Sequence, residues 1–150
     1  MNLSATSFLF ALAATLGLAS CSKTTPAAGA NAPILIRFGH AAPLTGPQAH
    51  LGKDNENGAR LAVEDANAEN LTFGGRAVKF ELLSEDDQSD PRQGNLVAQK
   101  FVDAKVNAVI GHLNSGTTIP ASRLYADAGI PQVSPSATNP AYTDQGFKTA

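Results

Sequence analysis

The chain has 150 residues, 43% hydrophobic and 16% charged, a balance ordinary for one globular domain and contrary to overall disorder. Eleven basic against thirteen acidic residues give a formal net charge of -2, with no basic cluster, so no nucleic-acid partner is expected. A lone cysteine, Cys21, excludes an intrachain disulfide, and the scattered His40, His50 and His112 lack metal-ligand spacing, so no metal or other cofactor is expected.

The N-terminus reads as an export signal. Phe8 to Leu18 is an apolar run too short to span a bilayer, and it ends in Leu18-Ala19-Ser20-Cys21 ahead of a polar stretch. Those four residues resemble the bacterial lipobox, which implies that residues 1–20 are removed and Cys21 is lipidated, anchoring the chain to a membrane. Residues 1–20 contain neither Lys nor Arg, a departure from the usual basic start. Residues 21–33, small and rich in Pro, Ala and Gly without periodicity, read as a flexible, lipid-anchored linker.

From Ile34 onward, short apolar runs alternate with helical patterns, which predicts βαβ units on a mostly parallel sheet. Strands are expected at Ile34–Gly39, Ala77–Leu83, Val106–Gly111 and Ile130–Val133. A first helix, about Gly52 to Ala68, places Ala59, Ala62, Val63 and Ala66 on a core-facing stripe and leaves Asp54, Glu56, Arg60, Glu64 and Asp65 wet. Phe73-Gly74-Gly75-Arg76 supplies the next turn. A second helix starts with Asp90 as N-cap, Pro91 at the first position and Gln93 at the third, and buries Gly94, Val97, Ala98 and Phe101. A third begins near Ser115, faces inward with Ala121, Leu124, Tyr125 and Ala128, and stops at Gly129; Pro120 should distort its first turn.

In such sheets ligands bind beyond the carboxyl ends of the strands, which singles out the loops Ala41–Gly52, Leu113–Thr118 and Ser134–Asn139. The last two carry hydroxyls and almost no charge. Ser115 serves either as a plain N-cap or as a hydroxyl beside open helix N–H groups, an anion cradle. Ser136 and Thr138 serve either as local turn-formers or as further ligand contacts. Glu85-Asp86-Asp87 reads as a solvated strand end, lacking a nucleophile or base nearby in sequence. The Gly46 to Gly52-Lys53-Asp54 run misses the phosphate-loop spacing, so nucleotide binding loses its usual support.

Taken in order, Pro43-Leu44-Thr45-Gly46-Pro47, Gly58-Ala59 with Val63 and Asn67, Asp86-Asp87 and Asp90-Pro91, Val109-Ile110-Gly111-His112-Leu113 with Pro120-Ala121-Ser122, and Ser134-Pro135 with Ala137-Thr138 resemble the N-terminal lobe of the leucine/isoleucine/valine-binding proteins. These are type I periplasmic substrate-binding subunits of branched-chain amino-acid ABC transporters, and the resemblance runs from Ile34 to Ala150. It implies an α/β, three-layer αβα lobe with a mostly parallel sheet over residues 34–150, truncated before a second lobe. It implies capture of branched-chain or related amino acids in the periplasm or at the cell surface, handing over to permease subunits, with no enzymatic step. The alternative is a ligand-sensing domain of an amide or amino-acid receptor. By the same resemblance Ser115 takes the ligand carboxylate, Ser136 offers its carbonyl to the ammonium, Thr138 touches both groups, and Leu113 and Leu51 border the side chain. A cysteine pair of some members falls on Ser89 and Asn114, so that staple is absent. No acid for the ammonium is expected within this lobe.

Overall fold

In the computed structural model the described residues are 32–150, so the expected signal, Cys21 and most of the linker lie outside them. Strand β1 (Ile34–Ala42) lies at the centre, with β3 (Arg76–Asp86) parallel on one side and β4 (Ala108–Gly111) parallel on the other. β5 (Gln132–Val133) continues in parallel beyond β4, and β2 (Thr72–Phe73) folds back antiparallel on the outer side of β3. The sheet order is therefore β2-β3-β1-β4-β5. β2 escapes the sequence because two residues carry no periodicity, although the Gly74-Gly75 turn that makes it was legible; both glycines have φ values, +57° and +78°, that side chains resist.

Helix α1 (Ala49–Ala68) packs against one sheet face; α2 (Pro91–Asp103) and α3 (Ser115–Ala128) cover the other. Adjacent residues of β1 show the division. His40 meets Asn55 of α1, whereas at Gly39 an added Cβ would come within 2.7 Å of the Phe101 ring of α2. The core lies on the α2–α3 side and gathers Ala41, Val97, Ala98, Phe101, Val106, Val109, Ala121, Tyr125 and Ile130.

The expected α2 stripe of Gly94, Val97, Ala98 and Phe101 is fully buried, and the Asp90 carboxylate caps the helix by accepting from the N–H groups of Arg92 (2.7 Å) and Gln93 (3.0 Å). Those bonds hold the Asp90 carboxyl below the usual carboxylate range. α3 ends at Gly129 with φ +68° and runs through Pro120; the carbonyl that proline cannot reach belongs to exposed Gly116, where water is available. Two expectations on helix faces fail. Ala128 and Ala62 are exposed, and Glu56 is only 7% exposed rather than wet. Glu56 tolerates burial because Lys53 (2.9 Å) and Arg60 (2.9 Å) both donate to it; burial alone would raise its carboxyl, and these partners hold it low. α1 also begins at Ala49, three residues before the expected start, because the loop after β1 is short and folded tightly. A Cβ at Gly52 would collide with the Pro43 carbonyl, so helix and loop touch there.

Candidate binding cleft

The expected solvated strand end at Glu85-Asp86-Asp87 is instead a bracing point, because β3 runs on to Asp86 and aligns it with Ala42 of β1. Glu85 pairs with Lys100 of α2 at 2.5 Å. Asp86 accepts from the Leu44 N–H (2.8 Å), the Thr45 hydroxyl (2.5 Å) and the Gln88 N–H (2.9 Å), fixing the loop between β1 and α1. Burial alone would raise the Asp86 carboxyl; the Thr45, Leu44 and Gln88 bonds outweigh it and hold the group low.

Asp87 is fully buried and receives the Nδ1 of His112 at 2.9 Å, while His112 Nε2 meets the Tyr125 hydroxyl at 3.0 Å. Burial, with the nearby Asp87, pushes the Tyr125 phenol far up, so it remains a donor. His112 thus stands where expected, directly after a strand, but it ties the residue that follows β3 to the last turn of α3. Its carbonyl accepts from the hydroxyls of Thr118 (2.9 Å) and Ser134 (2.7 Å), so the loops after β4 and β5 share one anchor. Among the described residues no group of three or more His, Cys, Asp or Glu forms a metal site.

Above this anchor lies an open cleft of about 480 Å³ at the carboxyl ends of the strands. It is lined by Leu51, Leu113, Ser115, Ser136 and Thr138, and also by Gln48, Asp54, Asn55 and Asn114. All five residues singled out from the sequence therefore line one space, although they come from three separate stretches of the chain: the start of α1, the junction of β4 with α3, and the loop after β5. Ser115 is the first helical residue rather than the cap; Asn114 holds the cap position without a side-chain capping bond. The first backbone bonds of α3 run from Thr117 and Thr118 to the Asn114 carbonyl (3.1 and 2.9 Å), so the N–H groups of Ser115 and Gly116 precede the ladder. Ser115 Oγ accepts from the Asn139 N–H at 3.2 Å, which leaves its own proton to donate. Ser136 Oγ donates to the Leu113 carbonyl at 2.5 Å and binds the two loops together.

Asn114 Nδ2 donates to Gln48 Oε1 (2.6 Å) and Ser89 Oγ (3.2 Å), and the Ser89 hydroxyl donates to the same Gln48 oxygen (2.9 Å). The positions of the absent cysteine pair, Ser89 and Asn114, are thus joined by a hydrogen bond. Besides Asn114, which lies in the expected loop Leu113–Thr118, three wall residues were not named as site residues from the sequence. Asn55 and Gln48 carry no motif, and Asp54 was read only as part of a wet helix face; it is exposed, yet it lines the cleft as an acid within this lobe. The signal that could have found Asn55 is its i+4 spacing from Leu51, which puts both on one face of α1.

A parallel α/β lobe with hydroxyls and helix N–H groups opening into a strand-end cleft belongs to the class of small-molecule binding lobes. A profile of the periplasmic binding protein family matches residues 35–149, and the chain belongs to that family. It is 46% identical over 112 residues to Leu/Ile/Val-binding protein homolog 1 of Brucella abortus, covering 75% of this chain and 29% of the relative. It is 44% identical over 105 residues to the leucine-specific-binding protein of Salmonella typhimurium, covering 70% and 28%. Among solved structures, the branched-chain amino acid transporter substrate binding protein LivJ of Streptococcus pneumoniae, in complex with isoleucine, superposes with a TM-score of 0.69 at 32% identity, over 77% of this chain and 32% of that one. The chain thus spans about a third or less of these relatives' length, and the α/β lobe expected from the sequence is what it builds.

Proposed function

We propose that this lobe is part of an extracytoplasmic substrate-binding subunit of an ABC transporter, which captures branched-chain or related amino acids without changing them. The observation that carries the reading is the convergence of Ser115, Ser136 and Thr138 with Leu51 and Leu113 on one cleft. Ser115, with a free proton and the N–H groups at the start of α3, suits a carboxylate; the positive end of the helix dipole adds to this. With the Ser136 hydroxyl engaged, its carbonyl is the group left for the ammonium, and Thr138 at the rim reaches both ends. Two of the cleft hydroxyls are already engaged, Ser115 by the Asn139 N–H and Ser136 with the Leu113 carbonyl, and no histidine, cysteine or lysine stands beside them in the lining, which supports capture of the ligand unchanged.

The residue roles are tested in the complete polypeptide that carries this lobe. Ser115→Ala or Thr138→Ala should each weaken amino-acid binding by about 1.5–3 kcal/mol, the worth of a charge-assisted hydrogen bond, while the melting temperature stays near that of the parent. Wild-type affinity by calorimetry in either variant removes that residue from the site.

The cellular half of the reading rests on the sequence: residues 1–20 as signal, Cys21 as lipid attachment and residues 21–33 as tether, placing the lobe in the periplasm or at the cell surface beside permease subunits. Cys21→Ala should abolish palmitate labelling and leave an unprocessed precursor. Unchanged labelling and membrane retention would refute the anchor.

A further inference from the structure

The loop after β5 is fastened to the loop after β4 in chain order. The Ser134 hydroxyl donates to the His112 carbonyl (2.7 Å), the Ser136 hydroxyl donates to the Leu113 carbonyl (2.5 Å), and the Asn139 N–H donates to Ser115 Oγ (3.2 Å). Each direction is fixed by chemistry, since a carbonyl accepts and an N–H donates. Leu113, Ser115 and Ser136 line the cleft, whereas Ser134 and His112 are not among the lining residues. The bond from Ser134 to His112 therefore stands behind the site.

Ser134 is the residue directly after β5, and His112 the residue directly after β4. The Ser134 oxygen works twice: it also accepts the Ala137 N–H at 2.9 Å, which closes the turn that carries Ser136. The His112 carbonyl works twice as well, because the fully buried Thr118 of α3 donates to it (2.9 Å). One oxygen thus sets both the first turn of α3, where Ser115 and the open N–H groups stand, and the loop of Ser136 and Thr138. That oxygen has little freedom, because the His112 ring is fully buried and held between Asp87 (2.9 Å) and Tyr125 (3.0 Å).

We propose that Ser134 is a positioning residue for ligand capture, which holds the Ser136 carbonyl and the Thr138 hydroxyl in register with Ser115 so that ammonium and carboxylate are met together. It stands outside the lining and acts through those two residues. This inference rests on the proposed capture of amino acids and adds how the contacts are kept aligned. Without the Ser134 hydroxyl, the Ala137 N–H and the His112 carbonyl each lose a partner, and the turn gains conformations that have to be frozen when the ligand arrives. Affinity then falls although every side chain lining the cleft remains.

Calorimetry with leucine on the complete polypeptide, well below its melting temperature, should show Ser134→Ala binding about tenfold more weakly and Ser134→Thr, which keeps the hydroxyl, close to the parent. Should the alanine variant not fold, Ser134→Cys takes its place, with similar size but a much weaker donor and acceptor. A double-mutant cycle separates positioning from bulk stability. In the Thr138→Ala background one contact that Ser134 positions is already gone, so the loss caused by Ser134→Ala should shrink well below its value in the parent. A lowered melting temperature with leucine affinity within about twofold of the parent would mean that Ser134 braces the fold alone, and this overturns the inference. Losses that multiply in full across the cycle overturn it too. Neither result touches capture itself. If leucine, isoleucine and valine all fail to bind the parent, the capture reading falls and this inference with it.

Discussion

At the scale of single residues, two buried histidines do different work. His112 is joined to Asp87 and Tyr125, and its carbonyl gathers two loop hydroxyls. His40 faces the other side of the sheet, and burial sets its titration below the usual value of 6.5. The consequence has a definite sign. Below pH 6.5 the unfolded chain takes a proton at this position that the folded chain resists, so stability is full above that pH and falls as the pH drops toward the lowered folded value. His40→Gln cannot titrate, so urea unfolding from pH 7.5 to 5 should show the parent losing stability relative to the variant across that window. Parallel pH profiles for the two would rule out a depressed His40. Glu56, Asp86 and Asp90, also held low, lose their contributions only in the more acidic carboxylate range.

At the scale of elements, the sheet edge shows how a side chain can replace a strand. β2 pairs with β3 only at Ala77 and Arg76, so Phe80 further along faces no strand on that side. The Asn67 side chain of α1 fills the gap: its amide nitrogen donates to the Phe80 carbonyl (2.9 Å) and its oxygen accepts the Phe80 N–H (2.9 Å). Both backbone groups are satisfied as a neighbouring strand would satisfy them. Asn67→Ala should cost about 1–2 kcal/mol in urea unfolding, the penalty for orphaned, partly buried groups, and speed exchange of the Phe80 amide. An unperturbed Phe80 exchange rate would show that Asn67 does not seal the edge. The same element scale explains what was legible beforehand. The α2 boundaries and stripe were readable because cap, proline and period agree within thirteen residues. Glu56 was misread because periodicity assigns a face from average hydrophobicity and cannot see that Lys53 and Arg60, one turn either side, neutralise a buried carboxylate. Asp87 was misread for a similar reason, since its partner His112 lies 25 residues away.

At the scale of the whole molecule, the site follows from topology rather than from any one motif. Strand-end loops converge because β1, β3, β4 and β5 run parallel, and this is why three loops distant in sequence could be singled out; that Ser115, Ser136 and Thr138 in particular would line the cleft came from the family resemblance, and Asn55, beyond the first of those loops, was not named. The same topology leaves the cleft open on the side away from the sheet. Its contacts with a ligand are therefore exposed to water, where charge pairing is weak, and they must still offset an association cost of at least about 4 kcal/mol. Asp54 is the one acid among the residues lining the cleft, and it stands on an exposed helix face where screening is strong. The relatives match this chain over only about a third or less of their own length. Closure by a second lobe would desolvate the ligand and add contacts this chain does not provide. Residues 34–150 alone should accordingly bind leucine, isoleucine and valine with dissociation constants of about millimolar or weaker. Large apolar side chains left in the open, Phe73 at 75% and Val133 at 69% exposure, should also limit solubility. Titration of the purified lobe, followed by amide shifts at Ser115, Gly116 and Asn55, checks both points. A well-behaved monomer that binds any of the three at low micromolar concentration would mean that a single lobe suffices for capture.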